Sequence, residues 1–439
     1  MADTPGIMPP KAKSQFGVIL KIKNFMVFAI SQSVSIFGDN LDHMALLAMI
    51  AFFVPAHTRS LAISRLTVVL TLPAIIFGPF AGVLVDRWNR RKVLIVCDTF
   101  RAILVALIPV MMLWTKNIYS VYALIFLVFL FGLFFNSARL SIIPNLVARR
   151  RLLAANSFVS FIGRFMTLLG IFIGGIMVDW SFWHKRLGIP GFSAGFYLDS
   201  LSYFVSVICL SLMVVRLKQR KRQEFQPGEG TILGTVGRKF SRTFHEFKDG
   251  FRLIRHTPAI VFTLLSILLL MILSAGVFVL FVPIIQSELN LGTRGVGFVG
   301  AIGSIGLVFS SVLFGIFGHR WKTRFVITGG FAIVGAALIL FALARSFLPI
   351  IPLTFIVGFV AQPIMICQDT LLQEHTPEEA RGRIFALKEW SMQVTFALSA
   401  FLIGLVSGLS KRGILGVIGV LAIALSVLAF FITRNKKFH

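Results

Sequence analysis

Residues Gly78 to Lys92 read Gly-Pro-Phe-Ala-Gly-Val-Leu-Val-Asp-Arg-Trp-Asn-Arg-Arg-Lys. The stretch begins as the end of an apolar helix. Gly78 and Gly82, four apart, leave a groove where another helix can approach closely. Asp86 stands where that helix leaves the lipid. Arg87, Arg90, Arg91 and Lys92 follow in a burst, and a new apolar run starts at Val93. A short basic turn between two apolar helices is a cytoplasmic loop by the positive-inside rule.

The composition around this turn is that of a membrane protein. Of 439 residues, 57% are hydrophobic, only 14% are charged and 46 are Phe, which is too apolar for a soluble domain. Such a chain supplies about twelve spans of ~20 residues each. The net charge of +26 invites a nucleic-acid reading. With loops assigned alternately, however, roughly 30 Lys and Arg fall on the side of the N-terminus and roughly 8 on the other, which is a topological bias. No basic soluble module is visible, so nucleic acid is not an expected partner. Cys97, Cys209 and Cys367 all lie in apolar runs and suggest no disulfide framework. No Gly-x-x-x-x-Gly-Lys-Ser/Thr loop, His-Glu-x-x-His or paired Cys-x-x-Cys pattern occurs. A non-enzyme without a cofactor or resident metal is expected. The first apolar segment is long and holds Asp39 and Asp42, so it is not read as a cleaved signal peptide.

Taken in order, residues 1–23 read as a basic cytoplasmic tail and 24–215 as a first group of six helices. Their expected bounds are about 24–54, 61–85, 93–114, 120–143, 154–178 and 194–215. Helix 1 carries Gln32, Ser35, Asp39, Asp42 and His43 at helical spacing, one polar stripe on an otherwise apolar rod. Asp98 and Arg101, three apart in helix 3, can pair and offset each other's burial. Gly170 and Gly174 give helix 5 a close-packing face. Residues 216–257 are a cytoplasmic linker. Within it Phe240, Phe244, Phe247, Phe251 and Ile254 recur at helical spacing among basic residues. That pattern suits an amphipathic helix on an anionic lipid surface, or a plain connector.

Residues 258–433 hold six more helices, at about 258–286, 295–317, 325–344, 349–373, 384–408 and 413–433, and 434–439 form a basic tail. Gly297, Gly300, Gly303 and Gly306 suggest that helix 8 packs closely on one face. Its following loop, Gly315 to Arg324, repeats the opening stretch. Aligned on the shared Arg-Trp pair, Gly82 matches Gly315, Asp86 matches His319, Arg87 matches Arg320 and Arg91 matches Arg324. The loop after helix 10 falls at a similar offset from Arg149–Arg151, so the chain reads as two repeated six-helix halves.

The Gly82, Asp86, Arg87, Arg90, Arg91 and Lys92 pattern resembles the loop between the second and third helices of the major facilitator superfamily. Asn89 stands where that family usually has Gly, and Asn is a common substitute at a left-handed turn position. Phe-Gly-Asp-Asn (37–40), Pro-Asn-Leu-Val (144–147), Leu-Leu-Ala-Ala-Asn (152–156) and Glu-Ala-Arg-Gly-Arg (379–383) are similar to the proton-coupled drug, macrolide and enterobactin efflux branch. The resemblance implies an all-α fold of twelve transmembrane helices in two pseudo-symmetric halves that rock around a central cavity. It implies that Asp86, Arg87 and Arg91 bias the gate through the start of helix 11. Arg90, Arg320, Arg324 and Glu389 join that gate group. A plain topogenic loop is the alternative.

Asp39 is the first choice for cavity chemistry. A mid-helix carboxylate is costly unless it has a partner or exchanges a proton. Either it carries a proton, or it is a structural pair with an arginine such as Arg139 or Arg164. Asp42, His43, Gln32, Asp199, Gln362 and Asp369 complete the intramembrane polar set. The expected function is secondary transport: proton-coupled export of an amphipathic small molecule by a monomer in a bacterial inner membrane, both termini cytoplasmic. Three rivals share the fold. A lysophospholipid flippase would open laterally. A divalent metal exporter would use Asp39 and His43. A non-transporting scaffold would tolerate loss of both aspartates.

Overall fold

The computed structural model describes residues 17–85, 88–148, 151–213 and 257–434. Asp86, Arg87, Arg149, Arg150, most of the N-terminal tail, nearly all of the linker, including the stretch expected to form a basic helix, and residues 435–439 lie outside the described residues. Among the described residues, twelve helices are long and apolar enough to cross a membrane. They are α1 (Lys23–Phe53), α2 (Arg59–Val85), α3 (Arg90–Thr115), α4 (Ile118–Leu146), α5 (Leu152–Val178) and α6 (Gly191–Leu212). The second set is α7 (Pro258–Gly276, prolonged to Glu288), α8 (Gly292–Phe317), α9 (Thr323–Leu343), α10 (Ile350–His375), α11 (Glu378–Val406) and α12 (Lys411–Arg434). A short helix, Phe182–Leu187, lies between α5 and α6. Trp180, just before it, is in mutual ring contact with its Phe182 and Trp183.

The packing repeats with a period of six helices. In the first half α1 packs on α5 and α6, α3 on α4 and α6, and α2 on α4. In the second half α7 packs on α11 and α12, α9 on α10 and α12, and α8 on α10. The halves meet through α2 against α11 and α5 against α8, and these two pairs are themselves related by the repeat. The protein is therefore an all-α integral membrane protein of two pseudo-symmetric halves.

Polar ends explain where the helices start. Asn89 is extended, at φ −68° and ψ 108°, and not left-handed as expected. Its side chain accepts from the Arg91 and Lys92 N–H groups at 3.1 and 3.3 Å, so it is the N-cap of α3. That cap draws Arg90, Arg91 and Lys92 into the first helical turn. Cations are unfavourable there, but Arg90 donates to the Ser141 carbonyl of α4 at 2.6 Å. Arg91 donates to Leu210 and Ser211 of α6 at 3.0 and 2.5 Å. Arg59 and Arg412 likewise reach the carbonyls that end α1 and α9. Guanidinium groups at helix starts thus close the carbonyl ends of their neighbours.

Small residues set the helix crossings. A Cβ on Gly175 would lie 2.7 Å from the Gly297 Cα, so α5 and α8 touch backbone to backbone. Gly170 and Gly174 face Asn40 and Met44 of α1. The α8 glycines do not share one face. Gly297 and Gly300 meet α5, whereas Gly303 and Gly306 meet Thr354 and Phe355 of α10. A spacing of three drifts against 3.6 residues per turn, so the stripe sweeps around the helix and serves two neighbours. Gly78 has no atom near its missing Cβ, contrary to the close groove expected there.

Candidate functional site

The polar residues of the first half converge where α1, α3 and α6 meet. Gly38 makes the approach possible, since a Cβ there would strike Ser202 and Asp199 of α6. The Arg101 guanidinium of α3 is the hub. Its Nη2 donates to Asp39 Oδ1 at 2.5 Å and to the Tyr203 hydroxyl, and its Nη1 lies 3.4 Å from Asp98 Oδ1. The Tyr203 hydroxyl also donates to Asp39 Oδ1. The guanidinium lies 4.1 Å from the Tyr203 ring centre and 5.7 Å from that of Phe135. Ser206 donates to Asp98 Oδ2 at 2.5 Å and meets Ser31 at 2.8 Å.

Asp39 is therefore an ion-paired carboxylate, but an incompletely buried one. Its side chain is 32% exposed against 9% for Arg101 and 0% for Asp98. The exposed part faces a cavity of about 490 Å³ between the halves. Asp42, His43, Thr67, Thr71 and Tyr203 line it from the first half, and Phe278, Gln393 and Phe396 from the second. Asp42 is buried, and its Oδ1 has no hydrogen-bond partner. The His43 Nδ1 lies 2.6 Å from the Asp39 carbonyl, and its ring stands edge-on to Phe129.

The structure sorts the expected residues. Asp39, Asp42 and His43 share the cavity. Gln32 is buried in α1 and does not line it. Asp199 is buried behind it, holding Ser202 at 3.1 Å, with its Oδ2 unpartnered. Arg139 does not pair with Asp39 and also stays out of the wall; its buried Nε has no partner. Arg164 reaches across to Gln362 of α10 at 3.5 Å. Asp369 belongs elsewhere, bound at 2.6 Å to Lys388, ten residues into α11 rather than at its start, where Lys388 also meets Glu389 at 3.5 Å. Of the gate residues, Arg90 and Arg91 bind carbonyls of their own half. Arg320 and Arg324 lie by Phe317 and Phe325. Nothing is described of the Gly82 surroundings, and Asp86 and Arg87 lie outside the described residues. No group of three His, Cys, Asp or Glu able to hold a metal ion forms among the described residues.

Arg101, Tyr203 and Asp98 are the parts that the sequence reading did not assign to the site. Tyr203 is four residues from Asp199 and Arg101 three from Asp98. Same-face spacing of an aromatic hydroxyl and a cation with buried acids was the available signal.

At the end of the bundle away from the termini, the halves are tied together. Asp179 Oδ2 accepts from the Arg294 N–H at 2.6 Å, at the start of α8. Arg59 donates to Ser287 at 2.5 Å, and Lys411 Nζ reaches the Ala56 carbonyl at 3.4 Å. Closer to the termini, Trp390 donates to the Ile75 carbonyl at 3.0 Å.

Comparison with known proteins agrees with this architecture. The sequence profile of the Major Facilitator Superfamily matches residues 25–387 and again 263–438. The chain is 26% identical over 402 residues to the putative bacilysin exporter BacE of Bacillus subtilis (strain 168), covering 88% of this chain and 89% of that one. It is 22% identical over 387 residues to macrolide efflux protein A of Streptococcus pyogenes, covering 87% and 88%. The crystal structure of the nucleoside transporter NupG superposes with a TM-score of 0.70 at 11% identity, over 94% of this chain and 100% of that one. With the twelve-helix repeat and a matching profile over most of its length, the chain belongs to the Major Facilitator Superfamily.

Proposed function

We propose that this transporter is a proton-coupled exporter of an amphipathic small molecule, working by alternating access to the cavity beside Asp39. One observation carries the reading. A partly exposed carboxylate, held by an arginine and a tyrosine, faces a cavity between two halves that must separate and close for transport. Four carboxyl groups (Asp39, Asp42, Asp98 and Asp199) surround one buried, bound guanidinium. An unpartnered ion is expensive at such a depth, so a proton is the natural additional counter-charge. The two relatives are named as an exporter and an efflux protein, which supports the outward direction. Positive charge on the side of the termini supports placing that side in the cytoplasm of a bacterium. The ties at the opposite end then support an outwardly closed arrangement.

The test is proton movement in proteoliposomes. Adding an exported ligand should produce a ligand-dependent proton signal. Asp39→Asn should abolish it, while the variant still inserts and elutes as a folded species. Undiminished proton-driven transport by Asp39→Asn would sink the coupling assignment.

A further inference from the structure

The cavity beside Asp39 has a neighbour of opposite chemistry. A second chamber, of about 460 Å³, is walled mainly by α7 to α10, with Leu273, Val299, Val334, Phe341 and Val357 among its sides. Its two hydroxyl groups are engaged. Ser274 donates to the Leu270 carbonyl at 2.8 Å, and Thr354 to Ile350 at 2.9 Å. A wall of this kind offers a ligand dispersion contacts and almost no hydrogen bonds.

The chamber beside Asp39 is rich in acceptors. Thr67 and Thr71 donate to carbonyls of their own helix at 2.8 and 2.9 Å, which leaves their oxygens as acceptors. Asp42 lines the chamber, its unpartnered Oδ1 lying buried, and Asp39 is partly open. The Arg101 fork is occupied by Asp39, Asp98 and Tyr203, and its Nε is buried out of reach. Arg139, which could have received an anion, is not in the wall.

Phe278 and Phe396 belong to both walls. Their ring centres are 6.5 Å apart, tilted by 50°. Phe278 stands in a π-helical turn, Val277–Phe281, that interrupts α7. Such turns carry an extra residue and occur often at functional sites. The ring pair therefore divides two compartments of similar size, one acidic and one apolar.

We propose that the two chambers form one bipartite site for a molecule with a cationic, hydrogen-bond-donating head and an apolar body. The head lies by Asp39 and Asp42, the body lies among α7 to α10, and the neck passes Phe278 and Phe396. This inference rests on the transport reading above and names its substrate class. A cationic head beside the Asp39 and Asp42 carboxyl groups gains Coulombic attraction that an alcohol or carboxylate would not receive.

The experiment is equilibrium binding to the full chain in lipid nanodiscs, with no proton gradient. Three probes share one apolar body: 4-(4-biphenylyl)butylamine, the corresponding alcohol and the corresponding carboxylate. The amine should bind about tenfold more tightly than either of the others. Asp42→Asn should reduce that preference to under about threefold. Ala337→Trp, which fills the apolar chamber, should weaken the amine about tenfold and keep the preference for it. Val334→Phe is the milder filler if the first fails to fold. A carboxylate bound as tightly as the amine, no binding of any probe, or full affinity with a folded filled chamber would each overturn the bipartite site. Because no gradient is used, the two readings separate. The expected pattern without Asp39-dependent proton flux would leave the site and remove the coupling. Proton flux with another ligand, but not this pattern, would do the reverse.

Discussion

Arg101 shows why a residue's neighbours in sequence are a poor guide to its office. Three residues from Asp98, it reads as half of a local pair, and that pair does form, at 3.4 Å. Its shorter contact is Asp39, 62 positions away, at 2.5 Å. Removing the guanidinium would leave two carboxyl groups in a low-dielectric seam without their hydrogen-bonded partner. Such removals cost about 3–5 kcal/mol. Arg101→Met should therefore lower the thermal midpoint of the detergent-solubilised protein sharply, as read by tryptophan fluorescence. Arg101→Lys should recover part of the midpoint, because a point charge cannot make the fork of contacts to Asp39 and Tyr203. A midpoint unaffected by Arg101→Met would mean that the cluster is not structural. Tyr203→Phe asks a narrower question. It removes one of the two donors to Asp39 and keeps the ring that packs on Arg101. The expected outcome is a folded transporter with slower, ligand-dependent proton movement. The sequence marked Asp39, Asp42 and His43 because an acid or imidazole in an apolar helix is costly wherever it points. Local spacing ties Arg101 to Asp98 and Tyr203 to Asp199, but not either of them to Asp39, because α3 and α6 are aligned against α1 by packing that no local spacing encodes.

Helix ends and crossings were legible to different degrees. The spans could be placed within a few residues because length and apolarity are imposed by the bilayer. Their exact starts depend on caps, and the start of α3 moved to Arg90 because Asn89 caps it. Asn89→Ala should destabilise the protein by about 1 kcal/mol. A thermal-shift series against Asn89→Asp, which keeps the acceptor, would show whether the oxygen is the cause. At the far end of α5, Asp179 performs a similar service for another helix. Its carboxylate accepts from the N–H of Arg294 at the start of α8, and Gly292, at φ +61°, leaves room for it. Burial raises the Asp179 carboxyl above its ordinary pKa of 3.8, against the lowering effect of the Arg294 and Thr293 N–H groups. If the α5–α8 contact opens, the group regains water and its ordinary value. The closed contact then binds more protons, so its stability is greatest below the ordinary pKa and is lost as pH rises through the raised one. Acidifying the end away from the termini should thus favour closure, and Asp179→Asn should remove that dependence. Spin labels at Leu187→Cys and Leu409→Cys, on exposed sites of the two halves, would read the separation as a function of pH. A distance distribution that shifts equally in Asp179→Asn would assign the effect to another group.

At the scale of the whole molecule, the six-helix period turns one contact into two. The packing of α2 on α11 and of α5 on α8 is related by the repeat, so each contact between the halves has a counterpart. The same offset placed Asp86 opposite His319 in the sequence, and there the repeat is broken: one half has an acid where the other has an imidazole. This asymmetry is where a bias between two arrangements can be stored. A carboxylate near a helix N-terminus gains about 0.3–1 kcal/mol when exposed, and up to about 2 when partly buried. A two-state equilibrium moves by as much as the difference between its states and no more. Asp86→Asn is therefore expected to change populations by a factor of roughly 2 to 30, from 0.3–2 kcal/mol, and not to abolish either state. Labels at Trp88→Cys and Trp321→Cys, exposed residues on the end that holds the termini, report one side. The Leu187 and Leu409 pair reports the other. A latch that holds the terminal end shut predicts opposite changes: Asp86→Asn should lengthen the Trp88–Trp321 distance and shorten the Leu187–Leu409 distance. Movement at the terminal end alone would mean a local loop effect, because the proposed alternating access couples opening of one end to closing of the other.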